Sequence, residues 1–352
     1  MGRLSWPALV AVVVVSLLVG VAPNIGIAAQ GIPAEVSSTT ESPDTPALSA
    51  VTLLDLKEAR WWSLCNLSVG LRRDNIDWSI SGDRHGENPN ILSELEFSSV
   101  ESYQIQLQNR TMLADLIYLR AAVGYAGIMS GTVRDSDYNA DDRRDEYSRS
   151  ISKTKGDGMW DATLGAGYSF YFDGRNWMIA PMIGVAYHRQ NIRITDGRQV
   201  RTEPGGYPLG PIDGLDSTYQ SQWQGPWLGF DLRYRIHRPG VRMPQMELGL
   251  FVQGHWNTRF YAEADWNLRS DFEHPKSFEQ EATGRGICLE GEWVIKVTPR
   301  WDFSFSANYQ RWQTNSGTQR YFLSDGDTAT THLNAVNWES YGLMVSLAYR
   351  FF

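Results

Sequence analysis

Two stretches carry side chains that could do chemistry together. The first is "GTVRDSDYNADDRRDEY" (131–147), where Asp135 and Asp137 stand two apart. On an extended chain such residues share a face. Two adjacent carboxyls can hold and activate a water as general base, and their repulsion raises one of the two pKa values. The second stretch is "ADWNLRSDFEHPKSF" (264–278), which offers Asp265, Asp271, Glu273 and His274. A histidine beside a carboxylate is set up for acid–base work near neutral pH. One Asp pair facing one His would make a hydrolytic cleft. The same residue types also make a solvated acidic loop, a calcium site of carboxylate oxygens or a plain surface histidine, and types alone leave these open.

Other chemistries find little support. The histidines at 85, 188, 237, 255 and 332 show no zinc spacing, and the chain has no phosphate-binding Gly-Lys-Ser/Thr loop, nucleophile elbow or Cys-x-x-Cys. No metal or cofactor is expected. A net charge of -8, from 32 basic and 40 acidic side chains, argues against nucleic acid as partner.

The elements that must position these residues are strands. In "LGFDLRYRI", Leu228, Phe230, Leu232, Tyr234 and Ile236 alternate with Gly229, Asp231, Arg233 and Arg235. "MELGLFVQGHW", "ICLEGEWVIKV", "WDFSFSANYQ" and the final "YGLMVSLAYRFF" alternate in the same way. Period two with one polar face means a strand wetted on one side. The segments are long, nearer the ~9–11 or more residues of a tilted spanning strand than the ~5–6 of a soluble one. Aromatics gather at their ends, as in interfacial girdles.

About ten strands are expected, near 64–80, 91–108, 111–130, 158–173, 177–195, 219–237, 244–264, 283–298, 301–316 and 336–352. Connectors alternate between tight ("QNRT", "FDGRN", "HRPGVRMP", "TPR") and long and polar. The fold class is therefore all-β, a transmembrane antiparallel up-and-down β-barrel, closed because lipid satisfies no free strand edge. Tyr341–Phe351 is expected to pair back to the first strand.

Ahead of the barrel (61–352), residues 1–29 read as a signal peptide: Arg3, then "ALVAVVVVSLLVGVA", then small residues. An N-terminal anchor is the other reading of that run. Residues 30–60 open with "GIPAEVSSTTESPDTPALSA" and read as a flexible periplasmic spacer. Export through a barrel fold places the chain in the bacterial outer membrane, with membrane lipid and the barrel-assembly machinery as partners. Cys65 should face lipid and Cys288 the lumen, without a disulfide.

The polar faces assign Asp231, Arg233, Arg235, Glu247, His255, Glu290, Glu292, Lys296 and Asp302 to the lumen. They would form either a self-neutralising plug or the lining of a selective pore. Leu232→Arg, toward lipid, is expected to cost ~2–4 kcal/mol, and Asp231→Asn less.

The quoted stretches resemble known families. "GTVRDSDY" resembles the Asp-x-Asp loop of the omptins, the outer-membrane endopeptidases of enteric bacteria. "APMIGVAYHRQNIRITDG" and "SQWQGPWLGFDLRYR" resemble omptin middle strands in order and spacing. "DSDYNADDR", "GLDSTYQSQWQGPWLG" and "ADWNLRSDFEHPKSF" are more similar still to the Protochlamydia outer membrane protein family, a porin-like group of related fold. Over 64–352 the resemblance implies an omptin-like barrel. The omptin pattern implies a catalytic pair at Asp135 and Asp137, an opposing Asp-x-His centred on His274, a peptide substrate and a lipopolysaccharide requirement. Phe272, however, stands two before His274, and Asp271 three before. Three functions follow: a porin-like, transport or structural surface barrel first, an omptin-like endopeptidase second, an adhesin or binding barrel third.

Overall fold

The computed structural model describes residues 61–237, 240 and 245–352. The expected signal segment (1–29) and spacer (30–60) lie outside the described residues. The alternating segments become β1 (Trp61–Ile80), β2 (Ser93–Leu113), β3 (Ile117–Ala140), β4 (Arg144–Thr154), β5 (Gly158–Tyr168), β6 (Phe170–Phe172), β7 (Trp177–Thr202), β8 (Gly210–Ile236), β9 (Met246–Asp265), β10 (Phe278–Lys296), β11 (Trp301–Thr314), β12 (Gly317–Phe322) and β13 (Thr328–Phe351).

All belong to one 13-stranded sheet. At membrane level the ring runs β1-β2-β3-β5-β7-β8-β9-β10-β11-β13, about ten strands, and closes on itself. β13 pairs antiparallel with β1 from Ser63↔Phe351 to Ile80↔Leu333. Closure leaves no edge to satisfy in lipid. β4 continues the ring position of β5, pairing with the outer halves of β3 and β7. β12 likewise continues β11 between β10 and β13. The wall therefore rises well above the membrane.

Several strands, β7, β8, β10 and β13 among them, run further outward than expected from the sequence, and two connectors are placed differently. Residues 131–147, read as a long loop, are mostly the β3–β4 hairpin, and only 141–143 turn. The first short turn falls not at "QNRT" but at 114–116, where Ala114 and Asp115 both have positive φ (54° and 55°). That is a type I′ signature. Asn109, Arg110 and Thr111 stay in the wall because their side chains find partners inside: Asn109 donates to Ser63 Oγ at 2.8 Å and Arg110 reaches Glu292 at 3.1 Å.

The outer face carries an apolar band that includes Leu67, Val69, Leu71, Ile183, Val185, Leu250, Leu343, Val345 and Leu347, all exposed to the surroundings. Aromatic groups flank it at both ends. Tyr103, Tyr125 and Trp160 cluster at one end, with Tyr309 on Tyr341 at 5.3 Å. Trp177 packs on Tyr234 at 4.4 Å and Trp301 on Tyr349 at 4.9 Å at the other. This is the surface of a barrel seated in a bilayer.

The inside is filled in layers. In the periplasmic half and middle, seven cations (Arg72, Arg110, Arg120, Arg233, Arg235, Lys296, Arg350) are joined to seven carboxylates (Asp74, Asp161, Asp231, Glu247, Glu290, Glu292, Asp302). The network is charge-balanced, the condition under which buried charges are tolerated. Trp227 fits this level because Gly165 and Gly184 face it. A Cβ at either would meet its indole at 2.3 Å. Above lies an aromatic layer: Trp312 stacks on Trp338 at 5.8 Å, and Trp223 touches Phe260 at 4.7 Å. Trp78 and Tyr219 extend it.

Candidate functional site

Above the aromatic layer the wall opens into a cavity of about 580 Å³ facing outward. β2, β3, β4 and β7 supply one side. Their inward residues form rows set by strand register: Ser93, Asp137 and Ser148 are cross-strand partners, and Leu95, Asp135, Ser150 and Gln199 make the next row. Period two puts both aspartates on the same face, and both line the cavity. The opposite side comes from loop residues: Tyr207 and Pro208 between β7 and β8, and Trp266, Leu268, Arg269 and Phe272 between β9 and β10. Tyr321 of β12 and Phe278 of β10 complete it.

The electrostatics follow from this enclosure. Asp135 and Asp137 lie six and eight residues beyond Met129, whose exposed side chain is the last apolar one of β3. Burial, then the neighbouring Asp137 carboxylate, holds Asp135 well above the usual carboxylate range, and Arg269 offsets only part of this. Asp137 is also raised by burial, against hydrogen bonds from Ser93 and Ser148. Burial and the Asp137 charge push the Tyr147 phenol up to about 12. A paired, partly desolvated dicarboxyl site of this kind holds a proton that an isolated aspartate would release.

The histidine loop is arranged differently from the sequence expectation. His274 Nδ1 pairs with Asp265, at 2.6 Å, and not with Asp271. Asp265 ends β9 on the outward face, in phase with Arg259, Tyr261 and Glu263, whereas Phe260, Ala262 and Ala264 point in. The Asp–His pair therefore sits on the outer surface of the wall, and neither member lines the cavity. Asp271 is bound instead by Arg269 through two hydrogen bonds of 2.7 and 2.8 Å, which lower its pKa. Arg269 also stacks on Phe272, with its guanidinium 4.4 Å from the ring centre. What faces the Asp pair is an arginine on an aromatic wall. Long-range backbone bonds fix this: Glu273 N–H donates to Phe322 O, Ser324 N–H to Asp271 O, and Phe272 bridges Leu323.

The lumen residues lie as follows. Asp231 is fully buried and accepts from Tyr118, Arg120 and Arg233. Arg233 also reaches Glu292, and Arg235 and Glu247 pair at 3.5 Å. Glu290 meets Arg120, and Lys296 meets Asp302. His255 packs on Trp312 at 4.4 Å, with Nε2 3.6 Å from the Cys288 sulfur. Cys65 and Cys288 are both free. Sequence reasoning missed Arg269 in the cavity and Arg72, Asp74, Asp161 and His188 in the barrel. Arg72 and Asp74 were discoverable, since they share the inward phase of β1. Asp161 and His188 meet only as cross-strand neighbours of β5 and β7. Among the described residues no cluster of three or more His, Cys, Asp or Glu could hold a metal ion.

The profile of the Pom family, described as Protochlamydia outer membrane protein, matches residues 66–351. Among solved structures, the outer membrane protease OmpT from Escherichia coli aligns with a TM-score of 0.69 at 12% identity, covering 82% of this chain and 97% of that one. The outer membrane protein OprG from Pseudomonas aeruginosa aligns with a TM-score of 0.33 at 10% identity, covering 83% and 96%. The OmpT likeness is one of fold. No curated protein sequence matches the chain.

Proposed function

The chain belongs to the Protochlamydia outer membrane protein family, and from that premise we propose that it is a closed surface barrel whose outer cleft captures a soluble ligand. The observation that carries this reading is the cleft itself: an enclosed dicarboxyl wall opposite aromatic side chains, seated on a filled lumen. Below it, the aromatic layer and the balanced ion-pair network occupy the space through which solute would pass. Between them the lumen keeps a chamber of about 100 Å³ among the described residues. That favours a plugged barrel over a transport pore, although the interior charges of a porin are present.

An endopeptidase is the second reading, favoured by the Asp pair. Against it stands the Asp265–His274 pair on the outer face, which leaves the cleft aspartates without the imidazole partner of the omptin pattern.

One set of measurements on refolded protein separates the three. Planar bilayers report conductance, quenched fluorescent peptides report cleavage, and saturation-transfer NMR with a mixture of small aromatic and polar fragments reports capture. The expected outcome is a silent bilayer, no cleavage that Asp137→Asn abolishes, and fragment signals lost in Ser150→Trp, whose indole fills the cavity. Steady channel events, or Asp137-dependent cleavage, would overturn the proposal.

A further inference from the structure

We infer that the ligand of the outer cleft is a neutral oligosaccharide, held with its hydroxyls on the carboxyl–serine wall and its C–H face on the aromatic wall. This inference rests on the reading of the cleft as a ligand site. Elsewhere, the His188–Asp161 pair lines a chamber beneath the aromatic layer, Asp265 and His274 satisfy each other on the outer face, and the exposed acidic turn at 141–142 is bonded by Asn90.

The polar wall sets the first requirement on a ligand. It is a piece of regular sheet, so its side chains form a grid, ~4.8 Å apart across strands and ~6.8 Å apart along them on one face. Apart from Leu95 at one end of the second row, the grid points are hydrogen-bonding: Ser93, Asp137 and Ser148 in one row, Asp135, Ser150 and Gln199 in the next. A carboxyl between two hydroxyls offers acceptors and donors at the spacing of a polyol, and Gln199 Nε2 already bonds Ser148 Oγ at 3.0 Å in the same manner. Tyr147 of β4 stands beside this grid with its phenol near Asp137, adding an aromatic edge against which a ring can lie.

The facing wall has the complementary character. Phe272 and Tyr321 stack at 5.4 Å with their planes 20° apart, giving a broad aromatic surface. Trp266 packs edge-on against Phe278 at 4.9 Å. Tyr207 stands at the rim with 66% of its surface exposed. Aromatic side chains combine an apolar face with a polar tip, which suits a ligand polar at its edges and apolar on one face.

Charge decides between a sugar and a cationic amphiphile. Among the described residues that line the cavity, the cation of the aromatic side is Arg269, tied to Asp271 on its own loop. Enclosure pushes both aspartates toward the protonated form, and Arg269 across the cleft offsets only part of this. Arg269 already places a positive charge opposite the pair, which disfavours a second cation there, and a carboxyl raised in this way can both donate to and accept from a hydroxyl. The volume, about 580 Å³, falls in the range of small-ligand sites.

The test applies refolded protein to an array of neutral and acidic oligosaccharides and, in parallel, titrates the amidated tripeptide Phe-Arg-Phe. Wild type is expected to bind a subset of neutral glycans saturably. Tyr207→Ala should weaken binding at least tenfold, and Tyr207→Phe should retain it. Each variant is first checked for the same heat-dependent gel mobility as wild type, since the rim position is not part of the wall's hydrogen-bonded frame. If the tripeptide binds in an Asp137-dependent way and no glycan does, the saccharide inference fails while the cleft remains a ligand site. If neither binds, both readings fall.

Discussion

Asp231→Asn tests the interior network most directly. Asp231 is fully buried and accepts hydrogen bonds from Tyr118 Oη at 2.9 Å, Arg120 at 2.7 Å and Arg233 at 2.5 and 3.1 Å. Asparagine keeps the shape and removes the charge, so the seven cations of the interior, four of them buried, would face six carboxylates. Breaking a buried ion pair by removing one partner costs about 3–5 kcal/mol, roughly 100- to 4,000-fold in the folding equilibrium at 1.4 kcal/mol per tenfold. The expectation from sequence was the reverse, that a lumen substitution is cheaper than a lipid-facing one. That expectation rests on strand phase alone, which leaves open whether the lumen is plugged or wet, and Asp231 is fully buried. The second arm is Asp231→Asn with Arg233→Met. Arg120 then keeps Glu290 at 2.6 Å, and Glu292 keeps Arg110 at 3.1 Å. Balance is restored, and the double variant should recover at least half of the loss. The assay is urea unfolding from phospholipid vesicles, followed by tryptophan fluorescence and read as midpoint at constant slope. A single variant within about 1 kcal/mol of wild type, or a double variant no better than the single, would refute the reasoning.

Other outcomes are expected alongside it. Leu232→Arg places charge on the lipid face between Ile179 and Leu250 and should cost about 2–4 kcal/mol in the same titration. Asp135→Asn should stabilise the protein at neutral pH. The folded pKa of Asp135 lies above its unfolded value, so its contribution is full below about pH 4 and is lost as pH rises through the folded pKa. Thermal melts of wild type should therefore fall across that window, and those of Asp135→Asn should be flatter; identical slopes would count against an enclosed pair. His274→Ala should leave ligand capture unchanged, because the ring sits on the outer face with Asp265. A loss of capture there would put the loop inside the cleft.

Much of this architecture is written in local pattern. Strand phase needs only the chain's own alternation, so Asp231, Arg233, Glu247, Glu292 and Asp302 could be placed facing inward before any pairing was known. The pairing of Tyr341–Phe351 with the first strand follows from the same pattern, since an apolar, edge-free wall must close in lipid. Asp135 and Asp137 share a face for the same reason, whether the segment is called loop or strand.

What the alternation could not specify is which distant groups meet. The segment 131–147 became a hairpin because β2 and β7 lie beside it to satisfy its backbone, which a reading of its polar composition could not anticipate. His274 found Asp265 rather than Asp271 because the loop between β9 and β10 is pinned to residues 322–324, about fifty positions away in sequence. Spacing along a loop carries no such information: its side chains have no fixed period, and their directions are set by whatever the backbone docks against. The sequence by itself determined the barrel, its phase and the inward Asp pair. The tertiary structure alone decided that this pair faces an arginine on an aromatic wall, and that the lumen beneath it is closed by ion pairs contributed from separate strands.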